Sequence, residues 1–570
     1  MKKPGEKWSS QLGVILAVAG SAVGIGNYLR FPGQAAQYGG GAFMIAYFVS
    51  LVVIGLSIGW AEWTIGRYAG QHGFNSVPGV FHAFMRQRWS KYIGLLGLII
   101  PLVIYMYYVI IESWCLGYAI NFLLGNMHFT TAAESGSFFG AFAGAGTNGS
   151  ALKFGLQDAA VYLTVVFLIN FVLIYRGLAK GIEVFCNYAM PTLLVLSVIV
   201  LVRVLTLGTP DPSLPDNSIN NGLGFMWNPT KTVVERQVGA EWQIEREVLG
   251  ENAVRTATAE VSTDPALRIR EIGVIEQLRK PQLWLAAAGQ IFFTLSVGFG
   301  VIITYASYLS QKDDIVLSSL TATTANEFSE VGMGGLIALP AGVAFLGMAG
   351  MVGQSTFGLG FHVLPLVFSK MPAGWLFGFC FFFLLFLAAM ASSLSMLQPG
   401  IAFLEEALQI GRKQSVALLG GLTAMGCGFV FYFSQDLKAL DTLDFWVGTF
   451  LIFVFGTIQS ITFTWIFGVD RLLKESDKGA AFSIPRWFGL VMKYVSPAFL
   501  LVILTLWILI DVFGFNFAGG APKFSSYIQD LFIKPNTVAW LSIVLVFVLG
   551  AFLSLLIAKA PAYRSKPKGF

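Results

Sequence analysis

At 570 residues the chain is 56% hydrophobic and only 12% charged, against roughly 25% charged in ordinary soluble domains, so it reads as an integral membrane protein. Its formal net charge of +5 comes without a basic cluster interleaved with aromatics, which excludes nucleic-acid binding.

Apolar runs long enough to cross a bilayer predict an all-α protein of about twelve transmembrane helices, at 11–36, 41–66, 92–124, 158–175, 182–207, 282–309, 331–350, 374–404, 415–434, 445–468, 489–515 and 537–559. The first run follows Lys2, Lys3 and Lys7 as a signal peptide would, but it has no convincing cleavage site and a second span follows almost at once. It is read as retained. That run also contains the stretch AGSAVGIGNYLRFPG, Ala19 to Gly33, which packs four glycines, Asn27 and Arg30 into a membrane span.

Orientation follows from the lysines and arginines of short loops, which stay on the cytoplasmic side. The N-terminus, the loop with Arg67, Arg86, Arg88 and Lys91, the turn with Arg176 and Lys180, the segment from Arg471 to Arg486 and the tail with Arg564, Lys566 and Lys568 share one side if the spans alternate. Both termini are then cytoplasmic, and the bias accounts for the net charge. Between the third and fourth spans, Gly144, Gly146 and Gly149 spell G-x-G-x-x-G, but in a small-residue outer loop with no preceding strand, so a flexible loop is expected there. Asn148-Gly149-Ser150 is formally a glycosylation sequon. From Thr230 to Lys280 charges of both signs crowd together; this external segment is expected to lie in water as a small strand-rich or mixed subdomain.

Cys115, Cys186, Cys380 and Cys427 each fall within a predicted span, as packing residues do. His72, His82, His128 and His362 are scattered, without partners at transition-metal spacing.

The sixth span contains Val297-Gly298-Phe299-Gly300, which repeats the Val23-Gly24-Ile25-Gly26 of the first at the matching place in a second set of five spans. An odd number of spans reverses the second set, so the two interrupted helices run in opposite directions. Glycine clusters let a helix unwind at mid-membrane, and the freed N–H and C=O groups need polar partners that hydrocarbon cannot supply. Free carbonyls suit a hard cation such as sodium, while free N–H groups suit a carboxylate. Close packing through small residues would explain one such glycine, but explains less well a repeated tetrapeptide flanked by Ser21, Asn27, Thr294 and Ser296.

The stretches AGSAVGIGNYLRFPGQAAQYGGGAFMIAYF, PLVIYMYYVIIESW, GQIFFTLSVGFGVIITYASY, LTATTANEFSEV and SSLSMLQPGIAFLEE resemble the neurotransmitter:sodium symporter family, in particular its bacterial amino-acid transporters of the LeuT type. The resemblance covers nearly the whole chain except the charged external insert. It implies a LeuT-type 5+5 inverted repeat with unwound first and sixth helices. The first repeat would be 1–207, the external loop with its insert 208–280, the second repeat 281–468, and two C-terminal helices with a tail 469–570.

Carried over residue by residue, the resemblance places a first sodium on the Ala22 carbonyl, Asn27, Thr294 and Asn326, with the substrate carboxylate as a further ligand. A second sodium would take the carbonyls of Gly20, Val23 and Ala388 and the Ser392 hydroxyl. Substrate would touch Ser21, Ala22, Gly24, Ile25, Gly26, Ile104, Tyr108, Phe293, Thr294, Ser296, Phe299, Ser392 and Met396, with Tyr108 donating to its carboxylate. Tyr108 and Phe293 would close over it, and Arg30 and Asp444 would approach one another outside. Trp8, Tyr308 and Glu406 match the inner gate, but the family's arginine before that tryptophan is replaced by Gly5, with Lys3 or Lys7 as substitutes. Glu330 stands where chloride-dependent animal members carry serine, which implies no chloride requirement. Glu62 and Glu112 are expected to tether unwound backbone or a neighbouring helix. Ala391 stands where the leucine-transporter branch has a sodium-ligating threonine.

The function implied is sodium-coupled import of a neutral, hydrophobic amino acid by alternating access across the cell (inner) membrane, with one or two sodium ions per cycle. The resemblance also allows a homodimer. A substrate-sensing receptor on the same fold would call for long cytoplasmic extensions, which the sequence does not offer. A membrane enzyme would need a nucleophile–base or metal constellation, and none is spelled out.

Overall fold

The computed structural model describes residues 8–85, 87–239, 241–351, 356–516 and 522–564. Lys3, Gly5 and Lys7, and with them the expected substitute for the inner-gate arginine, lie outside the described residues, as do Lys2, Arg86, Lys566 and Lys568.

Nine helices in the described residues are long and apolar enough to cross a bilayer. They are span 2 (Gly41–Gln71), span 3 (Ser90–Leu123), span 5 (Leu178–Leu205), span 7 (Ile315–Met348), span 8 (Gly374–Leu408), span 9 (Arg412–Tyr432), span 10 (Gln435–Ser476), span 11 (Phe488–Val512) and span 12 (Thr537–Lys559). Span 1 is a bent pair, Gln11–Ala22 and Gly26–Tyr38, meeting at 44°. Span 4 is the shorter apolar helix Ala159–Tyr175. Span 6 is divided into Pro281–Thr294 and Val301–Ala306. In its break Ser296, Gly298 and Gly300 hold φ of 53°, 75° and 81°, a left-handed backbone that the glycines adopt without cost.

Span 7 differs most from expectation: it starts at Ile315, sixteen residues before the predicted 331. Ser318, Ser319, Asn326, Ser329 and Glu330 in that added length are all buried. An apolarity criterion misses a helix whose polar face meets protein rather than lipid. Span 10 likewise runs beyond the predicted 445–468, with a non-helical Gly468 (φ 97°) near its end.

Spans 3 and 8 share the most extensive interface, and the helices around them form one continuous core. In its most apolar stretch span 3 is 83% buried, whereas span 12 is 22% buried, which separates the central scaffold from the lipid-facing rim.

The charged segment forms an antiparallel sheet, β1 (Lys231–Val238), β2 (Glu241–Val248) and β3 (Leu267–Ile272), in the order β2-β1-β3. Val238 pairs with Glu241 across the hairpin and Lys231 with Ile272 on the other side, with a bulge between Val234 and Glu235. A helix, Glu251–Thr263, covers one face, enclosing Val234, Val248, Ala257 and Leu267. Glu235 is bridged by Arg268 at 2.6 Å and Arg270 at 3.2 Å, so the mixed charge that marked the segment is largely paired.

Candidate transport site

The breaks in spans 1 and 6 lie side by side at mid-bundle, where the Ser296 hydroxyl donates to the Ser21 carbonyl at 3.0 Å. Between them is a cavity of about 10 Å³ lined by Ser21, Ala22, Gly24, Gly26, Tyr108, Phe293, Thr294, Ser296, Phe299, Ser392 and Met396. Ile25 and Ile104, also expected at the substrate, are buried but lie outside that lining. The volume corresponds to roughly one water, so this is a closed state, and admitting a solute requires side chains to move. The Tyr108 hydroxyl accepts the Ile25 N–H at 3.2 Å, which fixes it at the break in span 1. A Cβ at Gly24 would stand 2.8 Å from both the Ser392 and the Tyr108 hydroxyl oxygens, so any side chain there would have to displace them.

On one side of the cavity is a buried knot of oxygens and amides. The Asn27 carbonyl oxygen takes the Gly24 N–H at 2.7 Å, and its amide donates to Asn326 Oδ1 at 2.8 Å, Glu330 Oε2 at 3.1 Å and Thr294 Oγ1 at 3.2 Å. Glu330 also accepts from Gln290 at 2.7 Å and from the Thr294 hydroxyl. Glu327 accepts from Tyr47 at 2.8 Å. Among the described residues no basic side chain lies within 4.0 Å of Glu330, which is 0% exposed. A buried carboxylate amid neutral oxygens beside unwound carbonyls is a donor set of hard ligands that fits a small cation.

On the other side, the Ser392 hydroxyl donates to the carbonyls of Ser21 at 3.2 Å and Gly20 at 3.3 Å. Val23 breaks span 1 with ψ of 96°, and Ala388 is buried on span 8. The expected second sodium set therefore brackets the junction of spans 1 and 8. Ala391 Cβ and Cys186 Sγ stand 3.1 and 3.2 Å from where a Gly20 Cβ would be.

Of the expected gates, Phe293 lies under Arg30, whose guanidinium sits 4.4 Å above the ring centroid. Arg30 and Asp444 are not within 4.0 Å of one another: Arg30 donates to Thr449 at 3.3 Å, and Asp444 accepts from Tyr107 at 2.7 Å. Each is held by a different neighbouring hydroxyl group in this closed state, and the expected approach is not made. At the inner end Trp8 donates to the Tyr305 carbonyl at 3.2 Å, and Tyr308 accepts from Gln398 at 3.2 Å. Glu406 accepts the N–H groups of Asn75 at 2.7 Å and Ser76 at 3.1 Å and the Ser76 hydroxyl at 2.8 Å, capping the helix Val77–Met85.

Glu62 takes the Gly298 N–H at 3.2 Å and the Gln459 amide at 2.8 Å, so it holds the break in span 6. Glu112 takes the Asn170 amide at 3.1 Å, and Asn170 in turn accepts from Ser393 at 2.8 Å, linking spans 3, 4 and 8. Sequence reading missed Gln290, Tyr107 and Glu183, although Gln290 and Tyr107 lie within the stretches that carry the resemblance and Glu183 is a carboxylate just inside a predicted span boundary.

A sequence model described as the sodium:neurotransmitter symporter family matches residues 5–137 and 271–561, passing over the segment that holds the charged insert. An uncharacterised sodium-dependent transporter of Methanocaldococcus jannaschii is 26% identical over 88% of this chain and 90% of its own. One of Haemophilus influenzae is 26% identical over 88% and 98%. The sodium- and chloride-dependent taurine transporter of Rattus norvegicus is 24% identical over 86% and 76%. Among solved structures, MhsT in complex with L-phenylalanine is similar with a TM-score of 0.68 and 27% identity, covering 88% of this chain and 99% of that one.

Proposed function

The chain belongs to the sodium:neurotransmitter symporter family and is a sodium-dependent transporter that spans the membrane; on that premise we propose that it imports a neutral, predominantly apolar amino acid by alternating access, without a chloride requirement. The observation that carries this is the buried knot of Asn27, Thr294, Asn326 and the Glu330 carboxyl directly beside the two helix breaks. A sodium ion there is drawn by the knot and by the Ala22 carbonyl. The substrate carboxylate completes its shell, so neither cargo binds well alone.

Tyr108 and the N–H groups at the span 1 break orient that carboxylate. The absence of a charged side chain from the cavity lining argues against a charged side chain on the solute, and Phe299 and Met396 supply apolar surface for it. The likeness to MhsT, a structure holding L-phenylalanine, supports an amino acid of this class. Glu330 supplies the fixed negative charge that a bound chloride would otherwise bring. A second sodium at Gly20, Val23, Ala388 and Ser392 pins span 1 to span 8, weakly, because Ala391 offers no hydroxyl. In this reading the protein lies in the cell (inner) membrane with both termini cytoplasmic. The test is uptake by the purified protein in sealed vesicles, screened across neutral, charged and amine solutes under an inward sodium gradient.

A further inference from the structure

Glu183, in the first turns of span 5, is 1% exposed, and among the described residues no basic side chain lies within 4.0 Å of it. Its carboxylate instead takes the Ser9 N–H at 2.9 Å, the Ser10 hydroxyl at 3.0 Å and the Ser9 hydroxyl. Ser10 is the N-cap of span 1, its hydroxyl also accepting the Gly13 N–H at 2.9 Å. The carboxylate therefore sits on the positive end of span 1, where aligned peptide dipoles favour an anion. A Cβ at Gly13 would collide with the Glu183 carboxyl, so glycine is what allows the two helices to close here.

On the inner face a cavity of about 530 Å³ is walled by Trp8, Ser9 and Ser10 on one side and by Tyr308, Ser310 and Asp313 on the other. Position 5 is glycine, and Glu406 is engaged by Asn75 and Ser76.

We propose that Glu183 is the inner latch of this transporter, a positioning residue that holds the cytoplasmic end of span 1 shut through Ser9 and Ser10 and whose release opens the path inward. The inference rests on the alternating-access reading above. Cys186, one turn further along span 5, gives a native reporter, because its thiol is buried against Gly20 of span 1, which Ala391 of span 8 also approaches. When span 1 swings away the thiol meets water.

The experiment is alkylation of the full-length protein in membrane vesicles by N-ethylmaleimide, with Cys186 and Cys427 followed separately by peptide mass spectrometry, in sodium and in potassium. In the unmodified protein Cys186 should react slowly in sodium and faster in potassium. In Glu183→Gln and, independently, in Ser9→Ala, the rate in sodium should rise about tenfold toward the potassium rate, while Cys427 in span 9 stays unreactive. Cys186 protected by sodium equally in both variants overturns the latch, as does parallel exposure of Cys427, which would signal general loosening. Equal reactivity of Cys186 in sodium and potassium in the unmodified protein overturns instead the sodium-coupled reading beneath it.

Discussion

Replacing Glu330 by serine should create an anion requirement. The Glu330 carboxylate accepts from Gln290 at 2.7 Å, from Asn27 at 3.1 Å and from the Thr294 hydroxyl. Glu330→Ser removes the acceptor and leaves these buried donors converging on the vacated volume, with Tyr47 close by on Glu327. A hydrogen bond to a charged group contributes about 1.5–3 kcal/mol, and a buried donor left unpaired costs on the order of 1–3 kcal/mol. The loss of even one such contact weakens sodium binding at the adjacent site by about ten- to a hundredfold. Chloride is expected to take the same donors in place of the carboxyl. Sodium-driven uptake measured in chloride and in gluconate should be equal for the unmodified protein, and at least about tenfold lower in gluconate for Glu330→Ser. A chloride requirement in the unmodified protein, or indifference of the variant to chloride, refutes the reasoning.

Three further outcomes follow from the same geometry. Gly24→Asp should abolish amino-acid uptake without conferring amine uptake, since even a Cβ there stands 2.8 Å from the Ser392 and Tyr108 oxygens; a panel of labelled amino acids, dopamine and serotonin checks it. Ala391→Thr should lower the half-saturating sodium concentration about two- to tenfold and steepen its dependence, the effect of one added hydroxyl ligand of about 0.5–1.5 kcal/mol; superimposable sodium titrations would show that Ala391 leaves no deficit. Tyr108→Phe should raise the half-saturating substrate concentration about tenfold or more, because the hydroxyl fixed by Ile25 is lost as a carboxylate donor; unchanged uptake kinetics would remove Tyr108 from the site.

Span 1 was legible because its glycines interrupt an apolar run, and the same signature in Val297–Gly300 located the break in span 6. Composition alone reaches that far. It fails at span 7, where Ser318, Asn326 and Glu330 look like loop residues until packing turns them inward. The insert was legible as a charged, strand-rich unit, but its bulge at Val234 and its β2-β1-β3 order depend on long-range pairing that no local pattern encodes. Of the substrate residues carried over by motif, all but Ile25 and Ile104 line the central cavity. The groups that orient them were not legible: Gln290 and Tyr107 lie within stretches that carry the resemblance but have no role assigned by it, and Thr449 lies outside them, so only the long-range contacts show what each one holds. Glu183 lay at a predicted span edge, where a carboxylate is expected to reach water, and only the approach of Ser9 and Ser10 reveals why it is buried.

The most direct test of sodium-coupled amino-acid import is solute accumulation by the purified protein in sealed vesicles under an imposed inward sodium gradient. One sodium moving down a tenfold gradient and 100 mV supplies about 3.7 kcal/mol, enough for accumulation of several hundredfold. Uptake of a neutral amino acid that concentrates toward that limit, requires sodium and carries net positive charge inward is the predicted result. Undiminished accumulation with potassium in place of sodium, driven by a proton gradient alone, would contradict it.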